Sequence, residues 1–329
     1  MFKALQVTNI DGKTCASISL IDEEELPKSE VTIEVHYSTI NYKDALAIKG
    51  AAPILRFFPM VPGIDLSGVV THSESSEFSK GDWVVLNGFG VGEKHWGGLS
   101  EKACLQSDWL IPLPKSLTAK QSMVIGTAGY TAMLSVLALE KQNVMPNSGD
   151  ILVTGANGGV GNFAIILLNR LGYKVVASTG RLEEANHLKA LGATEVIDRQ
   201  SLSEPGKPLQ KERWAGVIDC VGSHTLANAC ASTQYGGVVT ACGLAQGMDF
   251  TASVAPFILR GVKLIGIDSV MRPKQDRIEA WQRLSDLLQE KDFESLYTEV
   301  TLEEVEETAY KLLDGKVRGR VLVNMKPDQ

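Results

Sequence analysis

Several things are scarce in this chain. Its 329 residues include only five cysteines, Cys15, Cys104, Cys220, Cys230 and Cys242, an odd number with no C-x-x-C spacing anywhere. None of the five histidines (His36, His72, His95, His187, His224) stands at ligand spacing from a cysteine, so the sequence leads us to expect no metal. Set among apolar neighbours, the cysteines read as small buried hydrophobes of a reducing compartment. A basic excess is also missing: 32 Lys and Arg face 39 Asp and Glu, for a net charge of -7. That balance argues against a nucleic-acid partner and points to small molecules. No unbroken apolar run reaches the roughly 18 residues of a membrane span, and the opening M-F-K-A-L-Q-V lacks the apolar core of a signal peptide. A cytoplasmic protein with no membrane partner is therefore expected. Internal repeats and low-complexity tracts are absent as well, and 44% hydrophobic with 22% charged residues excludes a disordered chain.

Ile151 to Gly161, I-L-V-T-G-A-N-G-G-V-G, is the stretch around which the rest is organised. An apolar, β-branched run over 151–154 suits a strand buried on both faces, and a glycine-rich turn follows. Val160, Ala164, Leu167, Leu168 and Leu171 then recur at helical spacing, with Gly172 as the stop. Strand, glycine turn and helix form the first unit of a dinucleotide fold, whose helix N-terminus receives a pyrophosphate. The fingerprint is A-x-G-x-x-G, with Ala156, Gly158 and Gly161 in its three places. Gly158 would admit phosphates to the backbone, and Gly161 would let helix and strand pack closely. Glycine turns also close strands that bind nothing, and this stretch alone leaves that reading open.

Upstream, residues 1 to about 122 are strand-rich, with V-T-I-E-V-H-Y at 31–37, V-V-T at 69–71 and W-V-V-L at 83–86. A helical pattern runs from 125 to 140. Beyond 151, strands at 174–178, 195–198, 216–222, 236–243 and 263–270 alternate with helical segments such as 182–191, and residues 204–208 read as a surface loop. Six strands in all fit an α/β, doubly wound parallel sheet. A helix over 276–289, a strand at 300–302, a helix over 303–314 and a strand at 320–324 end the chain.

The order of motifs resembles the medium-chain dehydrogenase/reductase superfamily over essentially the whole chain, in its zinc-free, quinone-oxidoreductase-like branch. N-Y-K-D at 41–44, P-G-I-D-L-S-G at 62–68, G-D-W-V at 81–84, G-T-A-G-Y-T-A at 126–132 and T-G-A-N-G-G-V-G at 154–161 carry the resemblance. The zinc-dependent branch keeps a cysteine near N-Y-K-D and G-H-E in place of Gly63–Asp65, and neither is present. N-Y-K-D-A-L-A at 41–47, G-V-G-E-K-H-W-G-G-L at 90–99, A-C-G-L-A at 241–245, P-F-I-L-R at 256–260 and G-I-D-S-V-M at 266–271 look like the acrylyl-CoA reductase (NADPH) subfamily. The resemblance implies a β-rich GroES-like catalytic domain from 1–123 with 271–329, and a Rossmann-type NADPH-binding domain over 124–270. It also implies a homodimer, for which K-L-I-G-I-D-S-V at 263–270 is a suitable edge.

NADPH also follows from an electrostatic argument. An acidic residue ending the second strand would bind the ribose 2′-OH of NAD and repel a 2′-phosphate, whereas here Ser178, Thr179, Gly180 and Arg181 stand there. Arg199, after the third strand, adds a second cation; the plainer reading is that both arginines are solvated surface charges. By resemblance, Asn157, Gly158, Gly159, Val160, Leu244, Ile258, Ser269 and Arg318 join the cofactor-binding set. The reaction implied is conjugate reduction of a 2-enoyl thioester, with Tyr42, Asn41 and Thr127 as catalytic candidates. Tyr42 lies in a loop that the family places against the cofactor; its ring can pack the nicotinamide or its hydroxyl can protonate the substrate. Related enoyl-thioester reductases use a tyrosine several residues further on, where this chain reads A-I-K-G-A-A-P, which leaves Tyr42 or water as the donor. Asn41 and Asp44 suit Asx-type bonding, Asp65 suits a structural role, and His95 with Trp96 suits the shaping of a glycine-rich loop better than acid-base work. Lys49 and Arg56 are candidates for the phosphates of CoA. A quinone or alkenal reductase of the same branch is the competing reading, and a non-catalytic NADPH-binding protein is the third.

Overall fold

Asp11 and Gly12 turn the chain back on itself almost at once. Both take positive φ, 52° and 80°, the backbone of a two-residue hairpin loop whose twist matches its strands. They join β1 (Phe2–Ile10) antiparallel to β2 (Lys13–Ile21) in a separate two-stranded sheet. The structure, a computed structural model, describes residues 1–326 and divides into two units. The first holds Met1–Thr127, Ser269–Asp286 and residues 293–326; the second holds Ala128–Asp268 and Leu287–Asp292. The sequence suggests that everything beyond 271 joins the first. Leu287–Asp292 instead belongs to the second, where Arg170 Nη2 lies 2.8 and 2.7 Å from the two carboxylate oxygens of Asp292.

After the hairpin come β3 (Val31–Thr39), α1 (Tyr42–Lys49), β4 (Asp65–Ser73), β5 (Trp83–Asn87), β6 (Lys102–Leu105), β7 (Ile111–Pro112) and α2 (Ala119–Lys141). Two expectations change here. Tyr42 is the first residue of α1 and not part of a loop, and the helix expected from 125 starts at Ala119 and is interrupted at Gly126 (φ 48°, ψ -158°). By length and composition α2 also has an apolar window long enough to span a membrane, which counting unbroken runs overlooked. That window is 89% buried inside the protein, as in a core helix.

The second unit is β8 (Asp150–Val153), α3 (Gly159–Arg170), β9 (Lys174–Thr179), α4 (Ala185–Leu191), β10 (Glu195–Asp198), α5 (Gln200–Ser203), β11 (Trp214–Asp219), α6 (Ser223–Ala231), β12 (Thr233–Ala241), α7 (Ala255–Arg260) and β13 (Lys263–Gly266). Its sheet runs β10-β9-β8-β11-β12-β13, all parallel, which is the doubly wound order. Apolar runs set the centre: Ile151, Leu152, Val153, Val217 and Ile218 are wholly buried, as helices on both faces require. The strand expected over 263–270 stops at Gly266, and the helix expected from Leu182 opens as a 3-10 turn before α4.

The chain closes with α8 (Lys274–Leu287), α9 (Glu290–Phe293), β14 (Tyr297–Thr301), α10 (Val305–Leu313) and β15 (Arg320–Asn324). In the first unit β14-β15-β3-β4-β5-β7 form one sheet, with β6 also paired to β3. Ile33, Val35, Leu66, Val84, Val321 and Val323 from its strands pack with Ala45 and Ile48 of α1 and Val305 and Ala309 of α10. Only Cys104 and Cys230 are the buried hydrophobes expected. Cys15 is exposed on the hairpin, and Cys220 and Cys242 are partly exposed at strand ends.

Candidate functional site

In the second unit the glycine turn is built as its spacing suggests. Gly155 takes φ 60°, Gly158 is the N-cap of α3, and α3 begins at Gly159. A Cβ on Gly161 would lie 2.5 Å from Gly155 O and 2.6 Å from Ala156 Cα, so helix and turn approach too closely for any side chain. Gly158 is exposed, and a Cβ there would meet only Gly155 O at 3.2 Å. The free N–H groups of the first turn and the helix dipole face outward there, as an anion site needs.

Around the turn the polar side chains are largely committed. Asn157 Nδ2 donates to Thr179 Oγ1 (2.7 Å), which also accepts from Arg181 N (3.0 Å). Thr154 Oγ1 donates to Asp219 Oδ1 (2.7 Å) and accepts from Cys220 N (3.0 Å). Asp219 Oδ2 accepts from Val221 N and Gly222 N, while burial pushes this carboxyl above the usual range. Beside the turn, two buried atoms have no hydrogen-bond partner among the described residues, Asn157 Oδ1 and Ser178 Oγ. Orphans of this kind cost about 1–3 kcal/mol each, and both flank the turn where a dinucleotide would bind. Ser178 is buried, so it offers no surface hydroxyl to a phosphate. The surface there belongs to Arg181 and Arg199: the Arg199 guanidinium lies across Gly180, where a Cβ would come within 2.5 Å of Nε. Among the described residues no carboxylate pairs with either arginine, and no carboxylate ends β9. The residues present thus fit a dinucleotide with a phosphate on its ribose.

In the first unit a buried carboxylate gathers the other candidates. Asp65, at the start of β4, is fully buried and accepts from Thr39 Oγ1 (2.7 Å), Asn41 Nδ2 (2.8 Å), Asn87 Nδ2 (2.7 Å), Thr127 N (3.0 Å) and Thr127 Oγ1 (2.5 Å). Its counter-charge is Arg320 Nη2 at 3.6 Å. Arg320 is itself buried, which lowers its pKa, and donates to Asn41 Oδ1 (2.8 Å) and Val124 O (3.1 Å). A Cβ on Gly126 would overlap Arg320 Nη2 and come within 2.8 Å of Asp65 Oδ2, which explains the break in α2. Asn41 and Thr127 are therefore brought together, with their side chains turned to Asp65. Asp44 accepts from Asn41 N (2.8 Å) and Ile64 N (3.0 Å), and burial pushes its carboxyl up to about 7. Tyr42, one residue after Asn41, is 52% exposed.

Of the remaining candidates, Leu244 and Ile258 are exposed in the second unit, whereas Ser269 and Arg318 belong to the first. His95 shapes its loop: burial lowers its pKa, its Nδ1 lies 3.1 Å from Trp96 O, and its ring meets Trp109 edge-on. Sequence reasoning missed Arg320, Asn87, Thr154 and Asp219. The signal for Arg320 was an arginine opening the apolar run R-V-L-V, where a strand is about to be buried.

Residues 27–115 match the family model of the alcohol dehydrogenase GroES-like domain, and residues 159–290 that of the zinc-binding dehydrogenases. The chain is 49% identical to the probable acrylyl-CoA reductase AcuI of Escherichia coli, over 98% of its own length and 99% of that protein. The chain belongs to the medium-chain dehydrogenase/reductase superfamily. This reductase is also 46% identical to the acrylyl-CoA reductase AcuI of Ruegeria pomeroyi, over 99% of both chains. Among solved structures it matches the YhdH oxidoreductase of Salmonella enterica in complex with NADP (48% identity, TM-score 0.97, 98% and 100% of the two chains). YhfP of Bacillus subtilis with NAD bound matches at 44% identity and TM-score 0.96, over 98% and 99%. Although one matching model carries zinc in its description, no three His, Cys, Asp or Glu side chains gather as metal ligands would among the described residues.

Proposed function

We propose that this reductase uses NADPH to reduce the 2,3 double bond of a short-chain 2-enoyl-CoA, with acrylyl-CoA to propanoyl-CoA as the favoured case. The observation that carries this reading is 46% identity to the acrylyl-CoA reductase AcuI of Ruegeria pomeroyi over 99% of both chains. NADPH, when bound, supplies the hydride for the β-carbon. The second unit is assigned its binding: Gly159 and Val160 offer N–H groups to the pyrophosphate, Gly158, whose own N–H is donated to Gly155 O, lets it approach the backbone, and Asn157 and Thr179 brace the turn. Arg181 and Arg199, beside Gly180, hold the 2′-phosphate by charge-assisted hydrogen bonds, and Leu244 and Ile258 complete the second unit's set; Ser269 and Arg318, in the first unit, are assigned to the cofactor by resemblance alone. The first unit is the catalytic, GroES-like one. Its Asp65 network holds Asn41 and Thr127 at fixed angles, and positioning of this kind is a large part of catalysis. Tyr42 is assigned to packing against the nicotinamide, and water to protonation of the α-carbon.

A quinone or enone reductase is the second reading, favoured by 28% identity to the quinone oxidoreductase of Sus scrofa over 250 residues. Both activities need NADPH, so the substrate decides. In a panel of acrylyl-CoA, longer enoyl-CoAs, enals and quinones, acrylyl-CoA should give the highest kcat/KM. A quinone turned over more efficiently than every thioester would overturn the assignment. We also assign a cytoplasmic homodimer. Its support is the edge strand β13, which with α7 carries exposed Ile258, Leu259 and Leu264.

A further inference from the structure

Two thiols stand side by side at the carboxyl edge of the parallel sheet. Cys220 follows β11 and Cys242 follows β12, and their sulfurs are 3.8 Å apart. Both residues keep partial exposure. The loops that hold them are already in register: Cys242 N donates to Asp219 O and Gln246 N to Val221 O, each at 2.9 Å. They also touch the glycine turn. Cys220 N is tied to Thr154 Oγ1 at 3.0 Å, and a Cβ on Gly155 would lie 3.3 Å from Cys220 Cβ.

We propose that Cys220 and Cys242 form a peroxide-sensitive dithiol, whose oxidation to a disulfide weakens NADPH binding at the adjoining turn. The coupling rests on the reading of that turn as the NADPH site. The hydrogen bond shared with Cys242, and then burial, raise the Cys220 thiol well above its ordinary pKa. Whichever sulfur attacks as its thiolate, it and hydrogen peroxide give a sulfenic acid and hydroxide. The second sulfur, 3.8 Å away, then displaces the sulfenic oxygen, which leaves as water, and the S–S bond forms. In total two thiols and one peroxide become one disulfide and two waters. Closing the bond brings the sulfurs from 3.8 Å to about 2.05 Å, which draws Cys220 towards β12 and away from its tie to Thr154, the residue that opens the turn.

The test uses the full chain carrying Cys15→Ser, because Cys15 is exposed and would otherwise react with peroxide itself. Hydrogen peroxide is the probe; intact mass and peptide mapping follow the cross-link, and fluorescence titration follows NADPH affinity before oxidation, after it, and after dithiothreitol. Expected are a loss of two hydrogens mapped to Cys220 and Cys242, an affinity loss of about tenfold, the scale of one hydrogen bond, and full recovery on reduction. Saturating NADPH should slow the cross-link, and adding Cys220→Ser should abolish peroxide's effect on affinity. No cross-link under peroxide overturns the dithiol, and a complete cross-link with unchanged affinity overturns the coupling. Failure of the NADPH reading shows separately in the reduced protein: Arg181→Ala with unaltered affinity overturns that reading and the coupling built on it.

Discussion

Replacing Asp65 by Asn keeps the shape of the side chain at the centre of the first unit and removes its charge. Arg320 would then be a buried cation whose nearest countercharge, now 3.6 Å away, is gone. At an effective dielectric of about 20, that separation corresponds to about 4–5 kcal/mol, which agrees with the roughly 3–5 kcal/mol lost when one partner of a buried pair is removed. The amide adds a second fault. Asp65 accepts from donors on both oxygens, and whichever way Asn turns, its NH₂ faces a donor: Asn41 Nδ2 and Thr127 N on one side, Asn87 Nδ2 on the other, the two amides being held against flipping by Arg320 and Trp281, which donate to their oxygens. We expect Asp65→Asn to destabilise the first unit by about 3–5 kcal/mol. Urea unfolding followed by tryptophan emission is the assay, since Trp83, Trp96, Trp109 and Trp281 all lie in this unit. Trp281 Nε1 donates to Asn87 Oδ1 and so reports the network directly. Arg320→Met alone should also be costly, and the double variant should lose at least about 2 kcal/mol less than the two singles together. Single effects below about 1 kcal/mol, or effects that simply add, would refute the account.

Asp44 makes stability depend on pH in an unusual direction. Its folded pKa of about 7 lies above the ordinary 3.8, so its contribution is complete below pH 3.8 and is lost as pH rises through 7. Between pH 5 and 8 the wild type should lose about 3 kcal/mol relative to Asp44→Asn; parallel urea-derived profiles for the two proteins would contradict this. Arg181→Ala and Arg199→Ala should each weaken NADPH binding by about 1.5–3 kcal/mol and leave NADH nearly unchanged. Equal losses for both cofactors in a titration would sink the 2′-phosphate assignment. For Tyr42, Phe should be nearly silent on acrylyl-CoA and Ala harmful if the ring packs the nicotinamide. A Phe variant slowed by roughly 10²–10⁴-fold with normal NADPH affinity would instead make the hydroxyl the proton donor.

The parallel sheet was legible because its signals are local. A buried strand, a glycine turn and an amphipathic helix follow one another within about 25 residues, and each carries its own periodicity. The opening hairpin is legible too, from Asp11-Gly12 between two runs of strand formers. The Asp65 cluster was not. Its members come from β3, β4, β5, α2 and β15, and only the folded sheet brings Thr39, Asn87, Thr127 and Arg320 to one carboxylate. Ser178 shows the limit of reading a contact from position. It stands where the 2′-phosphate argument needs a hydroxyl, yet β9 is covered on both faces, so every side chain from Val175 to Thr179, Ser178 included, is buried.

Gly126 bears on how this enzyme can be engineered. Anyone seeking a hardier variant would see a glycine inside a helix of 23 residues and substitute alanine, a change that commonly adds about 1 kcal/mol. Here the methyl group would enter the space held by the Arg320 guanidinium and the Asp65 carboxylate, in a backbone conformation that side chains resist. A saturation library at this codon should return glycine alone, and a consensus-driven stabilisation scheme that overwrites it would lose more than its other substitutions recover.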